Sequence, residues 1–321
     1  MNSSQITSSI FLSLILIVSV VLNTTASYIM LFKVKKKELI HLFIISLSTT
    51  NLLESIVGIT PQIIFSEQSL LKKTPLCIFS GFAVFGFAVT SITHMSAFSL
   101  IRTVIVKYPV YYFQRCKVFY YKAALILSCY VYGFSWATFP VIGWSKYEID
   151  FDKKRCSLDW KLSQSESPSF FLAILIFCNI LPGTVIALGL YFSTKIIHRR
   201  KACKIRQDKN KTLDILEMEY LKVNFLSAVL YFVIWTPYAV VSILTLLKIT
   251  VPAHLVTVSA LFSKLSTISN VLINCFINKS FQKHLLNLTL IRFWANTNFK
   301  RRLKNHSPTS CHFFKLEHNN V

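Results

Sequence analysis

The chain has 321 residues, of which 53% are hydrophobic and 15% charged. With a mean hydropathy of +0.53, it is too apolar for an ordinary soluble domain. A formal charge of +22 would suit a nucleic-acid partner, but the basic residues cluster between alternate apolar stretches, which argues for a membrane protein instead.

A helix that crosses the hydrocarbon layer needs roughly 20 mostly apolar residues. Seven stretches qualify, at about 8–32, 39–65, 76–100, 123–144, 168–194, 222–248 and 253–277. The expected fold is an all-α, seven-transmembrane helix bundle over 8–277, preceded by a short segment 1–7 and followed by an amphipathic helix over 278–295 and a tail over 296–321. No internal repeat is visible.

The N-terminus has no basic leader region, and the apolar stretch from residue 8 is too long for a signal-peptide core, so it is expected to remain as a span. Asn2-Ser3-Ser4 is a glycosylation sequon. Lys33, Lys35, Lys36 and Lys37 follow the first span; Lys107, Arg115 and Lys117 follow the third; Arg199, Arg200, Lys201, Lys204 and Arg206 follow the fifth; Arg292, Lys300, Arg301, Arg302 and Lys304 follow the seventh. The positive-inside rule puts these loops and the C-terminus in the cytoplasm and the N-terminus outside, in a multi-pass protein of the plasma membrane in contact with lipid.

In the second span, Asn51, Glu54 and Gly58 share a helical stripe that should face the bundle interior. Of eight cysteines, only Cys77 and Cys156 fall on the outer side of this topology, which predicts a disulfide from the outer end of the third span to the loop after the fourth. Cys129, Cys178 and Cys275 read as packing residues. Pro61, Pro140, Pro182 and Pro237 are expected inside spans as kinks. Arg102 ends the third span and Glu217 begins the sixth on the same side. They are either a cytoplasmic switch pair released on activation or two solvated charges.

Lys264 lies midway along the seventh span, too far from either end to reach water comfortably. A charge at that depth costs at least about 2.5–3.5 kcal/mol on insertion scales, so an ionisable residue there marks a functional site by default. A buried lysine loses its proton readily, and its neutral amine is the nucleophile that forms an imine with an aldehyde. The other reading is a structural ion pair. Two acids can partner it: Glu54, and Asp150 in the long outer loop that the disulfide would draw over the bundle. Trp235-Thr236-Pro237-Tyr238 in the sixth span sets an indole and a phenol at a proline kink, as packing or as walls of a ligand cavity. After the seventh span, Phe281, Leu285 and Leu288 recur at helical spacing beside Lys279, Lys283 and His284, the pattern of a helix on the inner membrane face. Cys311 is either a palmitoylation site or a free thiol, and Ser307, Thr309 and Ser310 form a small phosphorylation cluster. No Cys/His spacing resembles a metal site.

Several motifs recur together in order and spacing. They are Gly143-Trp144-Ser145-Lys146-Tyr147 followed by Cys156-Ser157-Leu158-Asp159-Trp160, then Trp235 with Pro237, then Ser263-Lys264-Leu265-Ser266-Thr267-Ile268-Ser269-Asn270, then Asn278-Lys279-Ser280-Phe281. Over nearly the whole chain this resembles the opsins, the retinal-binding branch of the rhodopsin-like G-protein-coupled receptors. The resemblance implies a light-sensing receptor, not an enzyme, that carries retinal as a Schiff base on Lys264 between Trp235 and Tyr238. It also implies a heterotrimeric G protein at the cytoplasmic face, with an arrestin and a receptor kinase as further partners.

By the same matching, Asp150 falls where many opsins have a loop glutamate as counterion and is the first candidate, with Glu54 second; the other family counterion position is Ser80, which cannot carry charge. The signalling motifs depart from the family. The triplet ending the third span is Ile101-Arg102-Thr103, without the acid, and the seventh-span motif is Asn270-Val271-Leu272-Ile273-Asn274, without proline or tyrosine. Asn51 stands where a second-span aspartate is usual, which counts against a sodium site. Two other functions remain open: a retinal photoisomerase with little signalling, and a receptor of this fold for a diffusible ligand, with Lys264 in an ion pair.

Overall fold

The structure, a computed structural model, describes residues 3–34, 39–61, 75–115, 118–149, 156–204, 211–277 and 279–286. With no water in the hydrocarbon layer, a spanning segment must satisfy its backbone internally, and the apolar stretches accordingly form helices. They are α1 (Ser3–Tyr28), α2 (Leu39–Glu54), α3 (Pro75–Lys107), α4 (Pro109–Arg115), α5 (Phe119–Thr138), α6 (Ser167–Ala173), α7 (Leu181–Lys204), α8 (Lys211–Leu246), α9 (Ala253–Lys264), α10 (Ser266–Ile277) and α11 (Lys279–Leu286). The spans number seven, because α6 runs into α7 and α9 is separated from α10 by Leu265 alone.

Among the described residues, six spans are both long and apolar enough to cross a membrane by themselves. The fourth, α5, falls below that apolarity because Tyr120, Tyr121, Lys122, Ser128, Tyr130, Tyr132 and Ser135 dilute it. It is instead seated tightly on α3. A Cβ added at Gly133 would lie 2.7 Å from the Thr90 nitrogen and 2.8 Å from the Gly86 oxygen, so glycine is what lets the two backbones approach.

Boundaries differ from the sequence expectation in physically readable ways. The fourth span stops at Thr138, not near 144, and Pro140 lies in the turn beyond it and kinks no helix. That turn closes with Gly143 at φ 105 and Ser145 at φ 82, the left-handed region that favours glycine. The sixth span starts at Leu221, as expected, but its helix extends outward to Lys211, so Glu217 lies inside α8. A short antiparallel hairpin, β1 (Tyr147–Ile149) on β2 (Cys156–Leu158), is an element with no periodic signal in so few residues.

Three helices carry a wide turn: Ile29–Lys33 after α1, Ser55–Ile59 after α2, and Ile174–Ile180 between α6 and α7. Such π-type turns re-aim the residues that follow and loosen backbone bonding. In the fifth span the loosened carbonyls find phenols. Tyr132 donates to the Phe177 oxygen at 2.9 Å, and Tyr231 donates to the Asn179 oxygen at 2.8 Å. Pro182 sits just past this turn, where its missing N–H adds to the loosening.

The third span is central, packing on the second, fourth, fifth and sixth. The fifth packs on the third and sixth, whereas the seventh packs on the first, second and sixth. One apolar cluster fills the end near α11, with Phe43, Phe98 and Phe281 buried; another fills the hairpin end around Trp160, Phe170 and Phe171. Between them runs a polar core. Asn23 donates to the Ser19 and Thr267 carbonyls at 2.8 and 2.9 Å and to the Ser19 hydroxyl at 3.1 Å. Asn51 donates to the Asn23 side chain at 3.4 Å, Ser91 donates to Asn51 at 3.1 Å, and the Ser19 and Ser55 hydroxyls meet at 2.7 Å.

Candidate functional site

Lys264 ends α9, immediately before the break at Leu265. The local sequence accounts for the break. Ser259, Ser263, Ser266, Thr267 and Ser269 each donate a hydroxyl to the carbonyl three residues back, and Leu265 N–H turns to Phe262. Hydroxyls in such runs compete with the helical ladder and tighten it. Lys264 is 5% exposed and its side chain points into the bundle, where its Nζ donates to Glu54 Oε1 at 3.1 Å.

Glu54 is the last residue of α2 before the wide turn and is 1% exposed. Its second oxygen, Oε2, is buried and has no hydrogen-bond partner among the described residues. Gly58, one turn further on, keeps space open beside the amine. A Cβ there would lie 2.7 Å from a Val84 methyl and 3.7 Å from Lys264 Nζ.

Both charged groups line a cavity with about 900 Å³ of space between the helices, counted to its open mouth. Val84, Phe85 and Ile92 of the third span, Trp235 and Tyr238 of the sixth, and Trp160 after β2 supply apolar wall. Trp160 and Tyr238 meet edge to face with centroids 5.1 Å apart, and Trp235 and Tyr238 do so at 6.2 Å. The hairpin roofs the cavity with Cys156, Ser157 and Leu158. A Cys77–Cys156 disulfide, Cα atoms 5.4 Å apart, fixes that roof to the start of α3. Tyr147 supports it from outside the spans: its hydroxyl donates to the Ala137 carbonyl at 2.8 Å, and burial raises the phenol above the ordinary tyrosine range. Lys146 is likewise raised, chiefly by its bond to the Glu148 carboxylate.

The other sequence candidates fall as follows. Arg102 is 6% exposed and its guanidinium lies 4.4 Å from the Phe98 ring centroid. Asp150, Asn2 and Cys311, and the side chain of Glu217, lie outside the described residues. Sequence reasoning passed over a row of hydroxyls on α3 that face the fifth span. Ser96 donates to the Pro182 carbonyl and Ser99 to that of Ile186, both at 3.4 Å, and Thr103 donates to that of Gly189 at 3.1 Å and meets the Ser193 hydroxyl at 3.0 Å. It also passed over His94, bound to Ser46 at 2.9 Å in a cluster with Tyr130 and Thr50. Asn179 on the cavity wall was missed too, although an amide in an apolar span is itself a signal.

Chemically, the described residues make the site a primary amine beside the Glu54 carboxylate in an apolar, roofed cavity. A family model described as "7 transmembrane receptor (rhodopsin family)" matches residues 22–278, and the chain belongs to that family of seven-transmembrane receptors. Its curated relatives there are opsins. Mouse Opsin-3 is 29% identical over 270 residues, covering 78% of this chain and 63% of the mouse protein. The scallop Mizuhopecten yessoensis has a "Rhodopsin, G0-coupled" that is 25% identical over 285 residues, covering 85% and 69%. The crystal structure of squid rhodopsin superposes with a TM-score of 0.80 at 20% identity, covering 97% of this chain and 93% of that one, which shows the shared fold.

Proposed function

We propose that this protein is a light-sensing receptor carrying retinal as a Schiff base on Lys264, with Glu54 as the charge partner of that linkage. The observation that carries this reading is the buried Lys264–Glu54 pair at 3.1 Å inside an aromatic-walled cavity, in a chain whose relatives are opsins.

The residues present fit the group. An amine serves the aldehyde, Trp235, Tyr238, Trp160 and Phe85 give apolar wall for a polyene, and Glu54 Oε2 has a lone pair to spare. When bound, the conjugated aldehyde supplies light absorption and a change of shape. The protein's own part begins with Lys264, whose amine has to be neutral to add to a carbonyl, with water leaving. Glu54 would take the amine's proton and return it to the linkage nitrogen, and its carboxylate charge would then hold the proton there. Gly58 keeps the amine's side of the cavity clear, and the hairpin covers part of the cavity with Cys156, Ser157 and Leu158. Asp150 follows β1 directly in sequence and stands as the second acid to be tested.

The arrangement of basic loops supports a plasma-membrane protein with its N-terminus outside and its α11 end in the cytoplasm. There a heterotrimeric G protein is the partner that the family and the name of the scallop relative suggest.

Expressed protein mixed with cis-retinal in the dark should develop an absorption band that changes on illumination. Lys264→Ala should develop none. If the unaltered protein stays colourless, or the alanine variant forms the same pigment, the retinal reading fails. Nucleotide exchange on G proteins under light then tests signalling. Silence across G-protein classes would favour a photoisomerase, which the missing acid beside Arg102 would permit.

A further inference from the structure

The geometry points to a more specific ligand: a cis-retinoid aldehyde whose ring bears a hydrogen-bonding oxygen, hydroxyl or ketone, held by the Asn179 carboxamide. This rests on Lys264 being the aldehyde's attachment point.

Asn179 and Lys264 line the same cavity. They stand on opposite walls, because the fifth span packs on the third and sixth while the seventh packs on the first, second and sixth. A ligand tethered at Lys264 and lying along the cavity therefore carries its far end toward the wide turn Ile174–Ile180. That turn presents Cys178 and Asn179 to the cavity.

The Asn179 backbone is accounted for by Tyr231, which donates to its carbonyl at 2.8 Å. Its side chain is not. A carboxamide offers two donors and an acceptor, yet this one makes no hydrogen bond among the described residues, unlike the buried Asn23 and Asn51, which are bonded within the protein. An amide placed in a span without a protein partner is a recognition group in search of a ligand. A plain hydrocarbon ring against it would strip its water and return nothing. A ring hydroxyl would accept from its nitrogen or donate to its oxygen, and a ring ketone would accept, with the Cys178 thiol as a weaker neighbour.

The test compares cis-retinal with ring-hydroxylated and ring-oxo cis-retinal on the full chain in the dark, reading the half-saturating concentration from the pigment band. In the unaltered protein an oxygenated aldehyde should half-saturate at roughly tenfold lower concentration than cis-retinal, the worth of about one buried hydrogen bond. Asn179→Leu should lose that preference while still forming pigment with cis-retinal. Equal half-saturation for all three aldehydes in the unaltered protein overturns the proposal, and so does a preference that survives Asn179→Leu. Should Asn179→Leu bind nothing, the isosteric pair Asn179→Thr and Asn179→Val decides: a preference kept by threonine and lost by valine supports the proposal, and equal behaviour overturns it. If no aldehyde colours the unaltered protein, the attachment at Lys264 falls, and this inference with it.

Discussion

At the scale of single residues, the question is which acid answers Lys264. Glu54 is the carboxylate bonded to it, and the two side chains are shielded from water together. Glu54→Gln keeps the shape and removes the charge, so the pigment of that variant should absorb toward the ultraviolet at neutral pH, while Asp150→Asn should leave the band in place. A spectrum that moves with Asp150 and not with Glu54 would transfer the role to the loop acid. Membrane energetics alone single out Lys264, since one lysine at mid-span has few bland explanations. Its contact with Glu54 is not readable there. Spacing along α2 put Glu54 on the inward stripe, but the distance from the second span to the seventh is a tertiary quantity that no periodicity encodes. Matching to the family loop ranks Asp150 first, and Asp150 lies outside the described residues.

Element-scale behaviour turns on how spans are fastened to one another. The hydroxyls of Ser96, Ser99 and Thr103, spaced by three and four residues on α3, reach carbonyls of the fifth span. In a membrane such bonds are worth on average about 0.6 kcal/mol each. Thr103→Val should thus lower thermal stability by about 1 kcal/mol and, if the row holds the fifth span in its resting position, raise nucleotide exchange in the dark. Unchanged melting would mean the row contributes nothing. The α3–α5 contact is stiffer. Gly133→Ala drives a methyl against the Thr90 nitrogen and Gly86 oxygen, backbone atoms that cannot swing away, and should cost about 1–3 kcal/mol in a melting experiment. The number of spans and their order were readable from hydropathy. The wide turns and the early stop of α5 were not, because they depend on which neighbour satisfies a freed carbonyl and on where the Gly143 turn closes.

The whole molecule is organised as a bundle stapled at one end. Cys77 and Cys156 are 79 residues apart, and a loop of that length is worth about 4–5 kcal/mol in the chain-entropy model. That is an upper bound here, since the intervening spans already restrain the reduced chain. Replacing both cysteines by serine should lower the melting temperature and slow pigment formation, because the hairpin roof would lose its fixed end; undiminished melting would show the roof to be held by packing around Trp160 and Tyr147. The pairing of Cys77 with Cys156 was legible in the sequence, because the compartment sorts cysteines over the whole chain.

The polar core of Asn23, Asn51, Ser91 and Thr267 carries a consequence for ions. Every one of these four groups is neutral, and the two amides bond to each other and to their neighbours, so this cluster itself offers a monovalent cation no formal charge and few free lone pairs. Exchanging sodium chloride for choline chloride should shift the melting temperature by no more than about 0.5 °C, a fraction of the roughly 1.5 °C that one kcal/mol is worth in a chain of this length. A receptor so built would keep one set point whatever the salt composition outside the cell.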